Sequence, residues 1–146
     1  MTFDARIREV LKADPDRYLQ PLRDLIRIDT HCLGHGIAGG LEKEGQAYMA
    51  RLLQSMGAKV EVRPMCEADI ETSMRLYGEG NPGHNYDGRE NVYGRFAGGG
   101  GRSLMFNGHM DTMPVGEEAL WQHPPHGAVV EDGKLFGRGG ADDGYA

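Results

Sequence analysis

Glycine is the feature that most restricts how this chain folds, because it separates the stretches that have a regular hydrophobic pattern. The chain has 23 glycines among 146 residues, roughly twice the usual share of about 7%. They concentrate in residues 34–40, 78–88, 98–101 and 133–144. Glycine adopts backbone conformations that other residues avoid, so these segments are expected to be turns or places of close backbone approach.

Helical periodicity predicts three helices before residue 57. The first ends at Asp14-Pro15, the second starts near Asp16 or at Pro21 and runs to Thr30, and the third covers residues 41–56 and stops at Gly57. In the first helix, the apolar side chains of Phe3, Ile7, Val10 and Leu11 share one face.

Alternating and apolar runs predict the strands. They are a strand over residues 58–63, a hairpin that joins residues 91–96 to residues 102–107, and a second hairpin that joins residues 128–130 to residues 134–136. Residues 65–90 are expected to be a long loop with one strand at 74–77. The order of elements predicts an α/β fold, with a mixed sheet layered with helices.

Composition excludes several classes of protein. The net charge is −6 and no basic cluster is present, so nucleic-acid binding is not expected. No apolar run is long enough to cross a bilayer, and the charged N-terminus resembles neither a signal peptide nor a lipidation site. Two cysteines do not form a disulfide framework, which favours a reducing, cytoplasmic location.

His109-Met-Asp111 follows a predicted strand directly. Side chains two residues apart on an extended segment point the same way, so a histidine here can present one nitrogen to a metal while the carboxylate accepts a hydrogen bond from the other. The pattern also fits a turn histidine beside a capping aspartate. Alone, it does not decide between the two interpretations.

Asp142 and Asp143 follow a strand and a glycine turn. A turn of this kind lets the backbone come close to a bound ion, to which either acid can supply oxygen ligands. Both acids also suit the first turn of a helix, where backbone amides and the helix dipole favour negative charge. Histidine and carboxylate from neighbouring strand ends are together suitable ligands for zinc or a similar divalent ion.

Several motifs occur in one order between residues 108 and 143. They are Gly108-His-Met-Asp-Thr-Met-Pro114, Trp121 with Pro125, Asp132-Gly-Lys-Leu-Phe-Gly-Arg-Gly139 and Ala141-Asp142-Asp143. In this order they closely resemble the aminoacylase and carboxypeptidase G family of zinc metallopeptidases, which includes acetylornithine deacetylase and succinyl-diaminopimelate desuccinylase. The resemblance covers roughly residues 91–146, and extends weakly to Leu25-Ile-Arg-Ile-Asp-Thr30.

The resemblance implies hydrolysis of an amide bond in N-acyl amino acids or short peptides. It also implies two zinc ions as cofactors, with cobalt or manganese as alternatives. In the family, a water held between the two ions attacks the amide carbonyl and a glutamate transfers the proton. By position, His109 is a ligand of one metal, Asp142 bridges both, and Asp111 orients the imidazole of His109.

Two positions depart from the family pattern. Gly144 stands where most relatives have lysine. His126, directly after Pro125, stands where relatives usually have an aromatic residue. We expect residues 1–146 to be the N-terminal portion of the catalytic domain, without its C-terminal half and without the lid domain through which relatives often dimerise. The family's Glu-Glu pair and later ligands have no position in this sequence, so the chain alone is expected to be inactive.

Other functions remain as alternatives. One is an inert, truncated remnant or a binding module. Another is a dinucleotide-binding domain, because Gly34-His-Gly-Ile-Ala-Gly39 matches the phosphate-binding fingerprint and Glu61 lies 22 residues further on. With so many glycines, chance alone supplies about 0.55 such matches, which disfavours this interpretation. Surface or loop positions are expected for His31, His35, His84 and His123.

Overall fold

A computed structural model describes residues 2–78 and 82–141 of the chain. Within these residues the elements are, in order, α1 (Phe3–Ala13), α2 (Pro15–Ile26), β1 (Cys32–Leu33), β2 (Gly39–Gly40), α3 (Lys43–Ser55), β3 (Lys59–Pro64), α4 (Glu67–Tyr77), β4 (Glu90–Arg95), a 3-10 turn (Glu118–Leu120), β5 (Val129–Glu131) and β6 (Lys134–Phe136). The three helices predicted before residue 57 are all present.

Asp14 marks the boundary between α1 and α2. Its side-chain Oδ1 accepts a hydrogen bond from the Arg17 amide at 3.2 Å, which satisfies a free donor in the first turn of α2. At its other end α2 stops at Ile26, and does not continue to Thr30 as predicted. The reason is tertiary, since the carbonyl of Thr30 accepts a hydrogen bond from the Thr112 amide at 3.2 Å.

The ribbon of β3 and β4 packs against α3. The two strands are antiparallel and in register along their whole length, with Lys59 opposite Arg95 at one end. Glycine at position 94 permits close packing, because a β-carbon there would lie 3.0 Å from Cδ1 of Leu53 on α3. The strands predicted at residues 58–63 and 91–96 are confirmed to within one residue.

The predicted hairpin between residues 91–96 and 102–107 is wrong. β4 pairs with β3 instead, and residues 102–107 are irregular. Their apolar side chains are exposed, with fractions of 79% for Leu104, 84% for Met105 and 81% for Phe106. Pairing with β3 places β4 beneath α3, whereas the four-glycine link at residues 98–101 has no side chains with which to stabilise a tight turn.

The hairpin of β5 and β6 is confirmed. Val129 lies opposite Phe136 and Glu131 opposite Lys134. Its turn uses two residues with positive φ, 50° at Asp132 and 73° at Gly133. An Asp-Gly pair in this conformation forms a two-residue turn whose twist matches that of the strands.

The loop predicted over residues 65–90 is wrong in its first half, where α4 forms. Glu67 and Asp69 lie in its first turn and Arg75 in its last, a distribution that complements the helix dipole. Gly78 ends the helix in the left-handed conformation, with φ 70°. The strand predicted at residues 74–77 is therefore wrong, because these residues belong to α4.

The described strands form three separate two-stranded antiparallel sheets, not the single mixed sheet that the order of elements predicts. Helices combined with small sheets still fit an α/β fold in the coarse sense. The parallel component in the described residues is an isolated bridge between His31 and Thr112. Among the described residues it does not extend into a longer ladder.

The core of the described residues lies where α2 ends against the segment that contains β5 and β6. Ile26 is 2% exposed and Ala128 is fully buried. Gly137 contacts Ile26 so closely that a β-carbon there would collide with Cγ2 of Ile26. Among the helices described, none combines the length and the apolar character needed to cross a bilayer.

Candidate functional site

The segment that contains His109 is held by backbone pairing with the chain after α2. The Cys32 amide donates to the Thr112 carbonyl at 2.9 Å, and the Thr112 amide donates to the Thr30 carbonyl at 3.2 Å. The Thr30 hydroxyl adds a bond to the Met110 carbonyl at 2.7 Å. These bonds fix residues 110–112, so the adjoining His109 sits on a supported backbone.

His109 and Asp111 contact each other. The imidazole Nδ1 lies 3.1 Å from the Asp111 carbonyl oxygen and 3.2 Å from its carboxylate Oδ1. Since both atoms are acceptors, Nδ1 is the donor in these contacts. The two side chains are 47% and 40% exposed, which leaves the pair accessible from solvent.

Asp142 and Asp143 lie outside the described residues. The turn that leads to them is described as far as residue 141 and packs against the His109 segment. Gly139 has φ 79°, and a β-carbon there would lie 2.8 Å from Cγ2 of Thr112. Glycine is therefore required at position 139 both by backbone conformation and by space.

A groove between α2 and this segment contains His109, Met110, Thr112, Arg138 and Gly139, with Leu25 and Ile26 on the helix side. It thus joins the predicted histidine to the glycine turn. Among the described residues there is no group of three or more His, Cys, Asp or Glu side chains arranged to hold a metal ion. The metal roles of His109 and Asp142, and the orienting role of Asp111, stay predictions.

A second histidine–aspartate pair lies next to this segment and was not predicted. His31 Nδ1 is 2.7 Å from Asp29 Oδ1, which also accepts the His31 amide at 3.1 Å. Burial of the Asp29 carboxyl opposes its ionisation, but the hydrogen bonds from His31 and the nearby histidine charges outweigh that effect and lower its pKa. The sequence signal was available, because Asp29-Thr-His31 has the same spacing as His109-Met-Asp111.

His126, one of the two departures from the family pattern, caps α2. Its Nδ1 donates to the Ile26 carbonyl at 2.9 Å, and its Nε2 lies 3.9 Å from Asp29 Oδ1. A histidine at a helix C-terminus satisfies a free carbonyl and interacts favourably with the helix dipole. Here His126 therefore connects the loop before β5 to the end of α2.

Arg138 and Trp121 organise the loop that follows the His109 segment. The Arg138 guanidinium lies over the Trp121 ring, 4.9 Å from its centroid, and its Nη2 donates to the Pro114 carbonyl at 3.1 Å. The Trp121 ring nitrogen donates to the Val115 carbonyl at 2.8 Å. Both residues belong to the motifs that carry the family resemblance, and they hold this loop in place.

The glycines of the dinucleotide fingerprint lie in a setting that does not suit that function. Gly34 and Gly36 are in the loop between β1 and β2, which pair antiparallel. The fingerprint needs a turn from a parallel strand into a helix. Beneath the loop, a β-carbon at Gly36 would lie 2.8 Å from the Arg89 guanidinium. The glycine spacing therefore serves local packing.

Residues 105–146 match the model of Peptidase family M20/M25/M40. The matched segment includes His109, Asp111, Trp121, Arg138 and Asp142. This match supports a relationship of the segment to the M20 metallopeptidases. The match begins in the irregular segment, so α1 to α4 lie outside it.

Proposed function

We propose that this chain is the N-terminal part of the catalytic domain of a two-metal amidohydrolase, similar to the aminoacylase and carboxypeptidase G enzymes. Its substrates are N-acyl amino acids or short peptides. The contact between His109 and Asp111, inside the segment that matches the M20 family model, is the observation that most supports this proposal. It has the donor chemistry and the orientation of a supported histidine ligand.

His109 would hold one metal ion through Nε2, and Asp142 would bridge two. Imidazole and carboxylate together suit zinc, with cobalt or manganese as alternatives. Asp111 accepts the Nδ1 proton of His109, which sets the tautomer and raises the basicity of Nε2. When bound, two such ions lower the pKa of water and polarise an amide carbonyl.

A catalytically inert remnant or binding module is the second candidate. It is kept because His109 and Asp142 supply two candidate ligands, whereas a zinc site usually takes four. We assign no general base among the described residues, and we expect no hydrolysis of acyl-amino acids by this chain alone. Tight binding of two zinc ions together with hydrolysis would contradict the second candidate.

Zinc titration by calorimetry tests the ligand assignment. The unaltered chain should bind zinc weakly, and His109→Ala should abolish this binding. Asp111→Asn should weaken it by about 10-fold or more, because Nδ1 loses its carboxylate partner. His84→Ala is the matched control, since His84 precedes the matched segment. Equal zinc affinity in His109→Ala and His84→Ala would refute the role of His109.

The remaining proposals concern the cellular location and the partners of the protein. We propose a cytoplasmic location, supported by the free thiols of Cys32 and Cys66, which suit a reducing compartment. Neither nucleic acid nor a membrane is proposed as a partner. Association of two copies, as in relatives that dimerise through a lid domain, is proposed from the resemblance alone.

A further inference from the structure

A cleft of about 440 Å³ is lined by residues 115–117, 120–123 and 136–138. Arg138 lines both this cleft and the groove that contains His109. The volume falls within the range of about 300–1,000 Å³ that is typical of small-molecule sites. Its wall contains the rings of Trp121, His123 and Phe136, so a flat apolar ligand has aromatic surface to contact.

The aromatic residues of the wall contact one another and the neighbouring backbone. The rings of His123 and Phe136 are packed with their centroids 4.5 Å apart. Trp121 is fixed by its hydrogen bond to the Val115 carbonyl. A ligand would therefore enter a preformed site and would lose little free energy in ordering the side chains.

The fixed charge in the cleft is the guanidinium of Arg138. Arginine has five N–H donors in a planar fork that matches a carboxylate. Within the described residues, Nη2 of Arg138 has an acceptor in Pro114, whereas Nε is buried without one. The other charged group in the lining, Glu117, is exposed and can turn towards solvent. The cleft thus combines an aromatic wall with an incompletely satisfied cation.

We propose that this cleft binds a small aromatic carboxylate, with its ring against Trp121 and Phe136 and its carboxylate on the guanidinium of Arg138. A carboxylate in the cleft accepts hydrogen bonds from the guanidinium of Arg138, and charge-assisted hydrogen bonds of this kind are stronger than neutral ones. The site needs no metal ion, so the proposal stands independently of the hydrolase function.

Fluorescence gives a direct test, because Trp121 is the only tryptophan in the chain. The purified chain is titrated with phenylacetate, and separately with phenethylamine, which has the same ring and the opposite charge. We expect a saturable change with phenylacetate and binding of phenethylamine weaker by about 10-fold or more. The absence of a saturable change, or equal affinity for the two ligands, would overturn the proposal.

Two variants test whether the carboxylate of the ligand binds at Arg138. Arg138→Gln should weaken phenylacetate binding by about 10-fold, because it removes the charged donor. Glu117→Gln, at an exposed position, should strengthen it by about 2-fold, because a negative charge at the mouth is removed. Unchanged affinity in a folded Arg138→Gln protein, verified by circular dichroism, contradicts the assignment. If Arg138→Gln does not fold, two measurements still test the proposal. They are the difference in affinity between phenylacetate and phenethylamine, and the effect of Glu117→Gln on phenylacetate binding.

Discussion

At the scale of single residues, one carboxylate oxygen of Asp29 contacts His31 Nδ1 at 2.7 Å and His126 Nε2 at 3.9 Å. Its pKa is lowered in the folded chain, so ionised Asp29 stabilises the fold above the pKa of an unfolded aspartate, near 4. That stabilisation is lost as pH falls through the lower, folded pKa. The effect is limited, because the carboxylate is 43% exposed and is screened by solvent.

Asp29→Asn should therefore lower the free energy of unfolding at pH 7 by at most about 1 kcal/mol. As the pH falls through the lowered, folded-state pKa of Asp29, the two proteins should converge in stability, since the native carboxyl becomes protonated there. Urea unfolding at a series of pH values measures this. Asp87→Asn, at an exposed position, serves as the control. A difference that stays constant down to the most acid pH would exclude the electrostatic explanation.

Glu42 and Arg89 form a buried ion pair, in contrast to the partly exposed contact between Asp29 and His31. The Arg89 Nη2 lies 2.7 Å from Glu42 Oε1, and the side chains are only 13% and 4% exposed, Arg89 first. Glu42→Gln should cost about 3–5 kcal/mol, because it leaves the charge of Arg89 buried without a partner.

Chemical denaturation measures the cost of Glu42→Gln, and α1 offers a matched comparison. Arg8 and Asp4 form an ion pair of 2.9 Å, but their side chains are 70% and 72% exposed. Arg8→Gln should therefore change stability by no more than about 0.5 kcal/mol. Similar losses of stability in Glu42→Gln and Arg8→Gln would show that burial does not increase the contribution of an ion pair to stability.

At the scale of elements, the hairpin of β5 and β6 depends on the backbone conformation of its turn. Gly133 has φ 73°, and a β-carbon there would meet no atom within 4 Å among the described residues. Gly133→Ala should therefore destabilise the chain by about 1–2 kcal/mol through backbone strain alone. Thermal unfolding measures this change.

Gly98 provides the matched control for Gly133. Its surroundings are equally open within the described part of the chain, but no left-handed φ is required of it. Gly98→Ala should be neutral or slightly stabilising, because alanine restricts the unfolded chain. Equal losses at positions 98 and 133 would mean that the turn conformation is not the cause.

The local elements were largely predictable because their signals lie within a few residues. Asp14-Pro15 marked the boundary between two helices, and Asp-Gly marked the hairpin turn. α4 was not predicted, because its sequence is polar and its apolar side chains are few. The glycines on its C-terminal side instead led to the prediction of a loop. The partner of β4 was also missed, since the choice between β3 and residues 102–107 depends on where α3 packs.

At the scale of the whole molecule, Leu104-Met-Phe106 is a run of three consecutive apolar side chains that are each about 80% exposed. Consecutive exposed apolar side chains promote self-association. The chain should bind a hydrophobic dye and associate as its concentration rises, and Phe106→Lys should reduce both effects. Light scattering and dye fluorescence measure them.

Leu76→Lys is the control for Phe106→Lys. Leu76 is also exposed, at 62%, but it lies on α4 and outside the segment at residues 104–106. This variant should leave dye binding and association nearly unchanged. If both variants reduce association equally, general charge repulsion is responsible and the apolar segment has no specific role.

The candidate site was predictable only in part. The spacing of His109 and Asp111 indicated the contact that the structure contains, because residues two apart on an extended segment are neighbours. The same spacing at Asp29 and His31 went unrecognised. The contact between His126 and the end of α2 had no local signal, since 100 residues separate the two partners.

The sequence by itself determined the positions of most helices and strands, the residues that resemble an amidohydrolase centre, and the chemistry of their donors. These features depend on periodicity, turn residues and spacing, which act over a few residues. Tertiary structure decided which strands pair, that His126 and Asp29 meet at the end of α2, and that aromatic rings gather beside Arg138. Those contacts join distant parts of the chain, and only packing against α2 and α3 selects them.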